Sequence, residues 1–380
     1  MLIVAIASLL AVVAIWIGYP VVVALLASLV VKRSPRAAGA GDPGTGVSNG
    51  RRVTVVIASV DSPEVIRARV EDALTTDYPP ALLEVVVALD AGGTASSASL
   101  GEIDPRVRVV RGDAPGGKAL SLNAAVRQAN GEILVFSDTA QRFERSTIPR
   151  LVAALGDSRF GAVSGSLQIG RDGAPANLAE RYWLFEKWLR LQEARLHSTV
   201  GVTGAVYAMR RECWHPLPAG LILDDVYVPM LLVLRGFRVG FEPTATAYDD
   251  RRFPPAQEFK RKARTLTGVV QLCVWLPAVM LPWRNPIWLQ FLFHKLLRLA
   301  TPYLLLVGGV SAAAWLASGA GITTPWVGTM LLLIMLALAT LATAAVPRIR
   351  RAASMAFAMQ VAVVRATVNG LRGHWDVWSR

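Results

Sequence analysis

The stretch Gly131-Glu-Ile-Leu-Val-Phe-Ser-Asp138 contains a short apolar run, from Ile133 to Phe136, that ends at a single carboxylate. Such a run is typical of a buried strand in a parallel sheet, and open α/β sheets bind ligands at the carboxyl ends of their strands. Asp138 is therefore expected where a metal ion or a charged substrate would bind. It could instead cap the following turn, since Asp is a favourable N-cap residue. The run by itself does not decide between the two.

Other apolar strands precede this one and alternate with helices. Strands are predicted at Arg51–Ser59, Leu83–Leu89 and Val107–Val110, and helices at Ser62–Thr75 and Ala119–Gln128. Strand–helix alternation predicts an α/β domain with a mostly parallel sheet and nucleotide-binding character.

The patterns downstream of Asp138 are less regular. Further strands are predicted at Phe160–Ile169, Val202–Arg211 and Val239–Glu242. A long helix is predicted at Ala179–Leu196, where aromatic residues recur at helical spacing. Such aromatic residues are more often packing residues than stacking platforms.

Apolar residues are concentrated at the two ends of the chain. The protein has 380 residues, a formal net charge of +13 and 53% hydrophobic residues. Residues 2–31 carry no charged side chain, 299–346 are almost as apolar, and most acidic residues lie within 50–265. The middle of the chain is long enough to bury a full core. These features predict a soluble domain held between membrane segments.

The first apolar segment is interpreted as an uncleaved membrane anchor. It exceeds the ~20 residues that a helix needs to cross a bilayer, and it lacks the basic residues that open a signal peptide. Basic residues follow it at Lys32, Arg33 and Arg36, which places the N-terminus outside and the domain in the cytoplasm. The predicted location is the bacterial inner (plasma) membrane, with several passes.

The predicted organisation has six parts. They are a transmembrane anchor (1–33), a flexible linker (34–50), a cytosolic α/β domain (51–268), interfacial helices (269–298), two transmembrane helices (299–346), and an interfacial helix with a cytosolic C-terminus (347–380). Many basic residues flank the apolar segments, so the positive charge is assigned to contact with membrane lipids. Nucleic-acid binding is not expected.

Cysteine and histidine give no sign of a metal site or a disulfide framework. Cys213 and Cys273 are far apart in the sequence, and the four histidines show no ligand spacing. Reduced structural thiols are therefore expected.

A glycine-rich segment follows the third strand. Gly112-Asp-Ala-Pro-Gly-Gly-Lys118-Ala119 matches the Walker A pattern except at its last position, where Ala119 replaces the Ser or Thr that holds Mg²⁺. Its place between a strand and a helix suits phosphate binding, and a Lys adds a positive charge. We expect Lys118 to contact phosphate, with a solvated lysine at the helix start as the simpler alternative. A membrane NTPase is a third and less favoured hypothesis.

Two further acidic positions are candidates. Asp90 follows the second strand, so it is expected along the same sheet edge as Asp138, although it could simply form the turn before Gly92-Gly93. Asp224 and Asp225 open a helix and could act as caps. Adjacent buried acids are also how a base of tuned pKa is made.

Taken together, the motifs resemble a known enzyme family. The motifs are VTVVIAS (53–59), Asp90, GGKALSLNAA (116–125), SDTAQRF (137–143), VTGAVYAMRRE (202–212), ILDDVYVPMLLVLRGFRV (222–239) and EFKRKARTLTG (258–268). In this order and spacing they resemble the inverting family-2 glycosyltransferases of the GT-A fold, in the membrane-embedded branch related to bacterial polysaccharide synthases. The resemblance covers about residues 50–268.

The resemblance implies roles for the donor and metal sites. A nucleotide-sugar would bind through Ser59, Asp90 at the base, Lys118 near the diphosphate, and Arg261 and Arg264 before the membrane. Asp138 would hold a divalent metal, Mg²⁺ or Mn²⁺, and would thereby also take part in donor binding.

The resemblance also implies an acceptor site. Asp225 would be the base that deprotonates the acceptor hydroxyl. Gly204, Ala205, Asp224 and Trp183 would lie by the acceptor. The implied reaction moves a sugar, most simply from a UDP-sugar, to a lipid-linked or glycan acceptor at the inner membrane face.

Two departures from the family pattern qualify this expectation. The metal motif Asp-x-Asp is here Asp138-Thr139-Ala140, and the Gln-x-x-Arg-Trp of processive synthases is replaced by Arg261-Lys-Ala-Arg-Thr265. The alternatives are therefore a processive polysaccharide synthase that extrudes its polymer and a catalytically inactive membrane scaffold. Assembly into a homo-oligomer is left open.

Overall fold

A computed structural model describes residues 1–33, 50–94, 96–100, 104–169, 178–251, 254–319 and 347–375. Among these residues eight strands form one sheet. The strands are β1 (Val53–Ser59), β2 (Leu83–Leu89), β3 (Val107–Arg111), β4 (Ile133–Ser137), β5 (Arg142–Phe143), β6 (Phe160–Ile169), β7 (Tyr207–Arg210) and β8 (Arg238–Asp249). The stretch 131–138 thus forms a strand, as its apolar run predicts.

Helices connect and flank the strands. They are α1 (Leu2–Val13), α2 (Tyr19–Arg33), α3 (Pro63–Leu74), α4 (Ser97–Leu100), α5 (Lys118–Gln128), α6 (Thr147–Ala154), α7 (Leu178–Leu196), α8 (Asp224–Leu234), α9 (Pro255–Trp275), α10 (Trp288–Phe291), α11 (Leu297–Gly319) and α12 (Pro347–Leu371). Turns of π-helix, Ala14–Gly18 and Leu292–Leu296, join α1 to α2 and α10 to α11. Short 3₁₀ turns lie at Pro80–Leu82, Arg211–Cys213 and Pro277–Met280.

The sheet has the strand order β3-β2-β1-β4-β7-β6-β8-β5. The first four strands of this order are parallel, β7 runs antiparallel to both β4 and β6, β8 is parallel to β6, and β5 is antiparallel to β8. The prediction of a mostly parallel sheet is confirmed. The parallel half aligns the carboxyl ends of β1, β2 and β4 at one edge.

The core follows from the apolar composition of the central strands. All five residues of β4 are buried, as are nearly all those of β1 and β2. Helix α3 packs an apolar face against this sheet through Ile66, Val70 and Ala73. It begins after Ser62 with Pro63 in the first turn, which is favourable because a proline lacks the N–H that would be unpaired there.

The described residues divide into two compact units. One unit contains the described parts of Met1–Val22, Phe253–Gln271 and Leu289–Arg380, and the other contains those of Val23–Arg252 and Leu272–Trp288. The second unit holds the whole sheet.

The first unit is built from apolar helices. Leu2–Val30 and Trp288–Ser318 are, among the described residues, the two helices long and apolar enough to cross a membrane, with mean hydropathies of 2.6 and 1.6. A Cβ on Gly308 of α11 would lie 2.9 Å from Ser8 Cβ of α1, so the two helices approach closely at a glycine. Within the same unit, Asn369 of α12 donates a hydrogen bond to Thr267 Oγ1 of α9 (3.3 Å).

Several predicted bounds differ from the structure. The strand predicted at Val202–Arg211 is confined to β7, because 202–206 turn towards α8, with Val206 N–H donating to Thr203 O (2.8 Å). β8 extends well beyond the predicted Val239–Glu242. The helix that contains the second candidate span already begins at Trp288 rather than at 299. The predicted linker (34–49 of it) and the predicted last span, about 326–346, lie outside the described residues.

Candidate active site

Three predicted site residues lie at the carboxyl ends of neighbouring parallel strands. β1 is hydrogen-bonded to β2 on one side and to β4 on the other. Ser59 ends β1, Asp90 follows β2 and Asp138 follows β4. The prediction that Asp90 and Asp138 share one edge of the sheet is confirmed.

Asp90 holds the glycine turn that leads into α5. Its carboxylate accepts hydrogen bonds from the N–H of Gly92 (2.8 Å), the N–H of Gly117 and the hydroxyl of Ser121 (3.4 Å). The residue is 7% exposed. Asp90 therefore fixes the turn in the structure, while its contact with the base of a donor remains a prediction.

The turn before α5 needs glycine at two successive positions. Gly116 and Gly117 have φ angles of 103° and 101°, which side-chain-bearing residues rarely adopt. A Cβ on Gly116 would also lie 3.0 Å from Asp90 Oδ1. The turn delivers Lys118 as the first residue of α5.

We expect Gly116→Ala to weaken donor binding. The substitution costs about 2 kcal/mol of stability through backbone strain, and it pushes the turn away from Asp90. A suitable control is Gly236→Ala, because Gly236 also has a positive φ (88°) but a Cβ there would meet no atom within 4 Å. Both variants should lose thermal stability, and only Gly116→Ala should raise the donor KM. An equal KM in the two variants would contradict a role of the turn in donor binding.

Lys118 lies between carboxylates contributed by two different elements. Its ammonium is 3.1 Å from Asp138 Oδ1 and 3.4 Å from Asp224 Oδ2. Burial alone would lower the pKa of this ammonium, but the charges of Asp138, Asp224 and Asp225 outweigh that effect and raise the pKa. Lys118 is therefore a fixed positive charge at the centre of the site.

Asp224 and Asp225 occupy the first turn of α8, where the helix dipole favours negative charge. The backbone carbonyl of Asp225 accepts a hydrogen bond from Val202 N–H (2.8 Å), which ties the helix start to the segment before β7. Asp224 is buried and Asp225 is half-buried. Both predicted acids thus face Lys118 instead of serving only as caps.

Gly204 allows a close approach at this point. A Cβ there would lie 3.3 Å from Asp225 Cβ and 3.7 Å from Lys118 Nζ. Ala205, the next residue, is buried. The structure therefore brings Lys118, Asp138, Asp225 and Gly204 together, as the sequence predicts.

Asp138 is the predicted metal ligand, and its side chain is 39% exposed. Across the described residues, no three His, Cys, Asp or Glu side chains form a ready-made metal site. A carboxylate oxygen is a suitable ligand for Mg²⁺ or Mn²⁺. The residues present therefore fit an ion that takes one ligand from Asp138 and most of the others from a diphosphate and water.

Trp183 reaches the site indirectly. Its indole N–H donates to Leu167 O (2.9 Å), and the guanidinium of Arg190 lies 5.4 Å from the centre of its ring. Arg190 in turn donates to Thr203 Oγ1 (3.1 Å), next to Gly204. Trp183 thus supports the segment that carries the predicted acceptor position.

Arg261 and Arg264 lie on α9, within the unit that contains the apolar helices. Their predicted contact with a donor diphosphate remains a prediction.

Two residues near Asp138 escaped the sequence-based search. Asp61 accepts hydrogen bonds from the hydroxyls of Thr139 and of Ser59 (3.3 Å), so it links the ends of β1 and β4. Arg69 is fully buried and donates from Nε to Ser137 Oγ (2.9 Å), immediately before Asp138. The available signal for Arg69 was a charged residue on the apolar face of α3, and Asp61 offered no comparable signal.

Arg69 is held in place on three sides. It forms an ion pair with Asp72, and its guanidinium lies 4.1 Å from the centre of the Phe143 ring. Burial is the main cause that lowers the pKa of Arg69, to about 10, while the Asp72 carboxylate acts in the opposite direction. The side chain stays protonated at neutral pH and braces the end of β4.

The fold and the site define a nucleotide-sugar-dependent transferase of the GT-A fold. Residues 50–268 match the sequence model of the family described as glycosyltransferase like family 2. The match covers more than half of the chain. The chain belongs to this family, whose members transfer a sugar from a nucleotide-sugar donor.

Solved structures show the same fold. A mannosyltransferase from Pyrobaculum calidifontis, PcManGT, solved with GDP-Man and Mn²⁺, is 24% identical; the similarity covers 97% of this chain and 99% of that chain, with a TM-score of 0.71. TarS 1–349 of S. aureus, solved with UDP-GlcNAc, is 16% identical and aligns over 58% of this chain and 66% of its own, with a TM-score of 0.39. No curated protein sequence matches this chain significantly.

Proposed function

We propose that the chain is a metal-dependent, inverting glycosyltransferase. It moves a hexosyl or N-acetylhexosaminyl group from a nucleotide-sugar, in the first place a UDP-sugar, to a hydroxyl of a lipid-linked or glycan acceptor at the inner face of the bacterial plasma membrane. The observation that carries the proposal is the position of the Lys118 ammonium, 3.1 Å from Asp138 and 3.4 Å from Asp224 and beside the close approach of Gly204 to Asp225.

Asp225 is the proposed general base. An acceptor hydroxyl placed at Gly204 would lie next to its carboxylate, because no side chain at position 204 fills that space. The carboxylate takes the proton as the acceptor oxygen attacks the anomeric carbon of the donor. The bond from that carbon to the diphosphate breaks in the same displacement, and the anomeric configuration inverts.

Lys118 is the proposed partner of the leaving group. In the structure its ammonium neutralises Asp138 and Asp224, and it begins a helix whose N-terminal N–H groups also favour phosphate. A donor diphosphate would compete for this ammonium. Lys118 would then stabilise the negative charge that develops on the departing nucleoside diphosphate.

Asp138 is the proposed protein ligand of the divalent metal, and its partly exposed carboxylate supports this. When bound, the metal neutralises charge on the leaving diphosphate. The printed content of the PcManGT structure, GDP-Man with Mn²⁺, agrees with a requirement of this kind and makes GDP-mannose the alternative donor.

The membrane location rests on the two candidate spans, Leu2–Val30 and Trp288–Ser318. Helix α12 supports it further, because its apolar segment Ala356–Leu371 is too short for a span and suits an interfacial position. A lipid-linked acceptor would meet the site at this surface.

A donor screen tests the proposal. The full-length chain in lipid nanodiscs is incubated with labelled UDP-glucose, UDP-GlcNAc or GDP-mannose, with Mg²⁺ or Mn²⁺, and with extracted bacterial membranes as the acceptor source. We expect one nucleotide class to release nucleoside diphosphate and to label a membrane product, and we expect EDTA to stop both. No release with any donor would contradict the enzyme assignment, and release that persists in EDTA would contradict the metal requirement.

The same assay separates the alternatives. A product extended by one sugar supports single addition, whereas a ladder of long chains supports a processive synthase. ATP hydrolysis without sugar transfer would favour an NTPase.

A further inference from the structure

Tyr207 has a buried hydroxyl for which the proposed mechanism gives no use. The residue lies in β7 and is fully buried. No group of the described protein residues forms a hydrogen bond with its hydroxyl. Buried polar groups are almost always paired, because an unpaired one loses its hydrogen bonds to water without replacement. A phenylalanine would fill the same space without this cost, so the hydroxyl calls for an explanation.

The ring of Tyr207 is held firmly. It stacks on Phe136 of β4, with ring centres 4.5 Å apart and an angle of 8° between the planes. Phe136 stacks in turn on Trp214, at 5.4 Å. Tyr207 and Phe136 are also paired residues in the antiparallel register of β7 and β4. The hydroxyl therefore has a fixed position in the structure.

The surroundings of the hydroxyl are negatively charged. Tyr207 follows the segment that carries Gly204, and its strand partner β4 ends at Asp138. Burial raises the pKa of the phenol well above its usual value, and the charges of Asp224, Asp225 and Asp138 raise it further. The phenol is therefore protonated and can donate a hydrogen bond to a carboxylate.

Lys118 at present supplies the positive charge for these carboxylates. The proposed function requires the same ammonium to face the donor diphosphate. When it does so, Asp224 loses an ionic partner. A fixed O–H donor in the floor of the site would compensate for that loss without adding a second positive charge.

We propose that Tyr207 is a positioning residue of the transfer reaction, whose hydroxyl donates to the Asp224–Asp225 carboxylate pair when Lys118 turns to the donor diphosphate. This proposal rests on the proposed function. Tyr207 would keep the pair ionised and oriented at the moment when Asp225 accepts the proton of the acceptor.

Tyr207→Phe tests the proposal because it removes only the hydroxyl. We expect kcat to fall about tenfold, as for the loss of a hydrogen bond to a charged group, with the donor KM and the donor Kd close to wild type. The Tm should stay the same or rise, since an unpaired buried group is removed. Replacement of Tyr207 by 4-aminophenylalanine, which keeps an N–H donor in the same position, should restore part of kcat.

Tyr78→Phe is the matched control. The Tyr78 hydroxyl is also buried, but it donates to Arg51 O (2.6 Å), away from the carboxylates. This variant should show the opposite pattern, a lower Tm with an unchanged kcat.

The outcomes separate the Tyr207 proposal from the function on which it rests. Wild-type protein that turns over no nucleotide-sugar would contradict the proposed function and this proposal together. Active wild type with an equally active Tyr207→Phe variant would overturn the Tyr207 proposal alone. A marked fall in Tm for Tyr207→Phe would also overturn it, because the hydroxyl would then have a structural partner.

Discussion

Asp225→Asn is expected to lower kcat about 1000-fold while the donor KM stays near the wild-type value, since general base catalysis contributes on this scale. Asparagine has nearly the shape of aspartate but cannot accept a proton from the acceptor hydroxyl. The backbone contact of residue 225 with Val202 N–H is unaffected by the substitution. The fold and the donor site should therefore survive, and kcat and the donor KM should be measured with saturating acceptor.

Two further variants sharpen this result. Asp224→Asn removes the charge that Lys118 contacts at 3.4 Å, so we expect it to change the donor KM more than Asp225→Asn does. Asp77→Asn breaks an exposed ion pair with Arg145 (3.0 Å) and should leave the kinetics unchanged. Wild-type turnover in Asp225→Asn would remove Asp225 as the base and would favour the inactive-scaffold hypothesis.

Asp138→Ala is expected to abolish turnover at every metal concentration. Ala140 stands where the family motif has its second acid, so Asp138 supplies the one carboxylate that this motif offers to the metal. A metal ion that also depends on the donor for its ligands should then lose its remaining anchor on the motif. The measurement is turnover as a function of Mn²⁺ concentration, together with Mn²⁺ binding in the presence of nucleoside diphosphate.

The reverse change provides the matched variant. Ala140→Asp restores the second acid of the motif and should lower the Mn²⁺ concentration needed for half-maximal binding. Retained turnover in Asp138→Ala would contradict the metal assignment, and so would an unchanged Mn²⁺ requirement in both variants.

The parallel half of the sheet could be predicted from local sequence because each of its strands is a short apolar run followed by a turn signal. β4 is the clearest case, since a fully buried strand leaves a continuous apolar pattern. Asp138 was found for the same reason, as the polar residue that ends the run. The resemblance then connected it with Lys118 and Asp225, which lie far away in the sequence.

The antiparallel half could not be predicted to the same extent. β7 is shorter than its apolar pattern indicates because residues 202–206 are used for contact with α8, and β5 has only two residues that are defined by pairing with β8. The contact between Lys118 and Asp224 and the packing of Tyr207 on Phe136 also depend on elements distant in sequence. No local pattern encodes such contacts.

The stereochemistry of the transferred sugar tests the central claim most directly. The claim is that Asp225 activates an acceptor hydroxyl for a single displacement at the donor's anomeric carbon. The anomeric configuration of the product, made with whichever donor turns over, can be determined by NMR. We predict the opposite configuration to that of the donor, and we predict that Asp225→Asn makes the product only in trace amounts. A product with the donor's configuration retained would contradict the account.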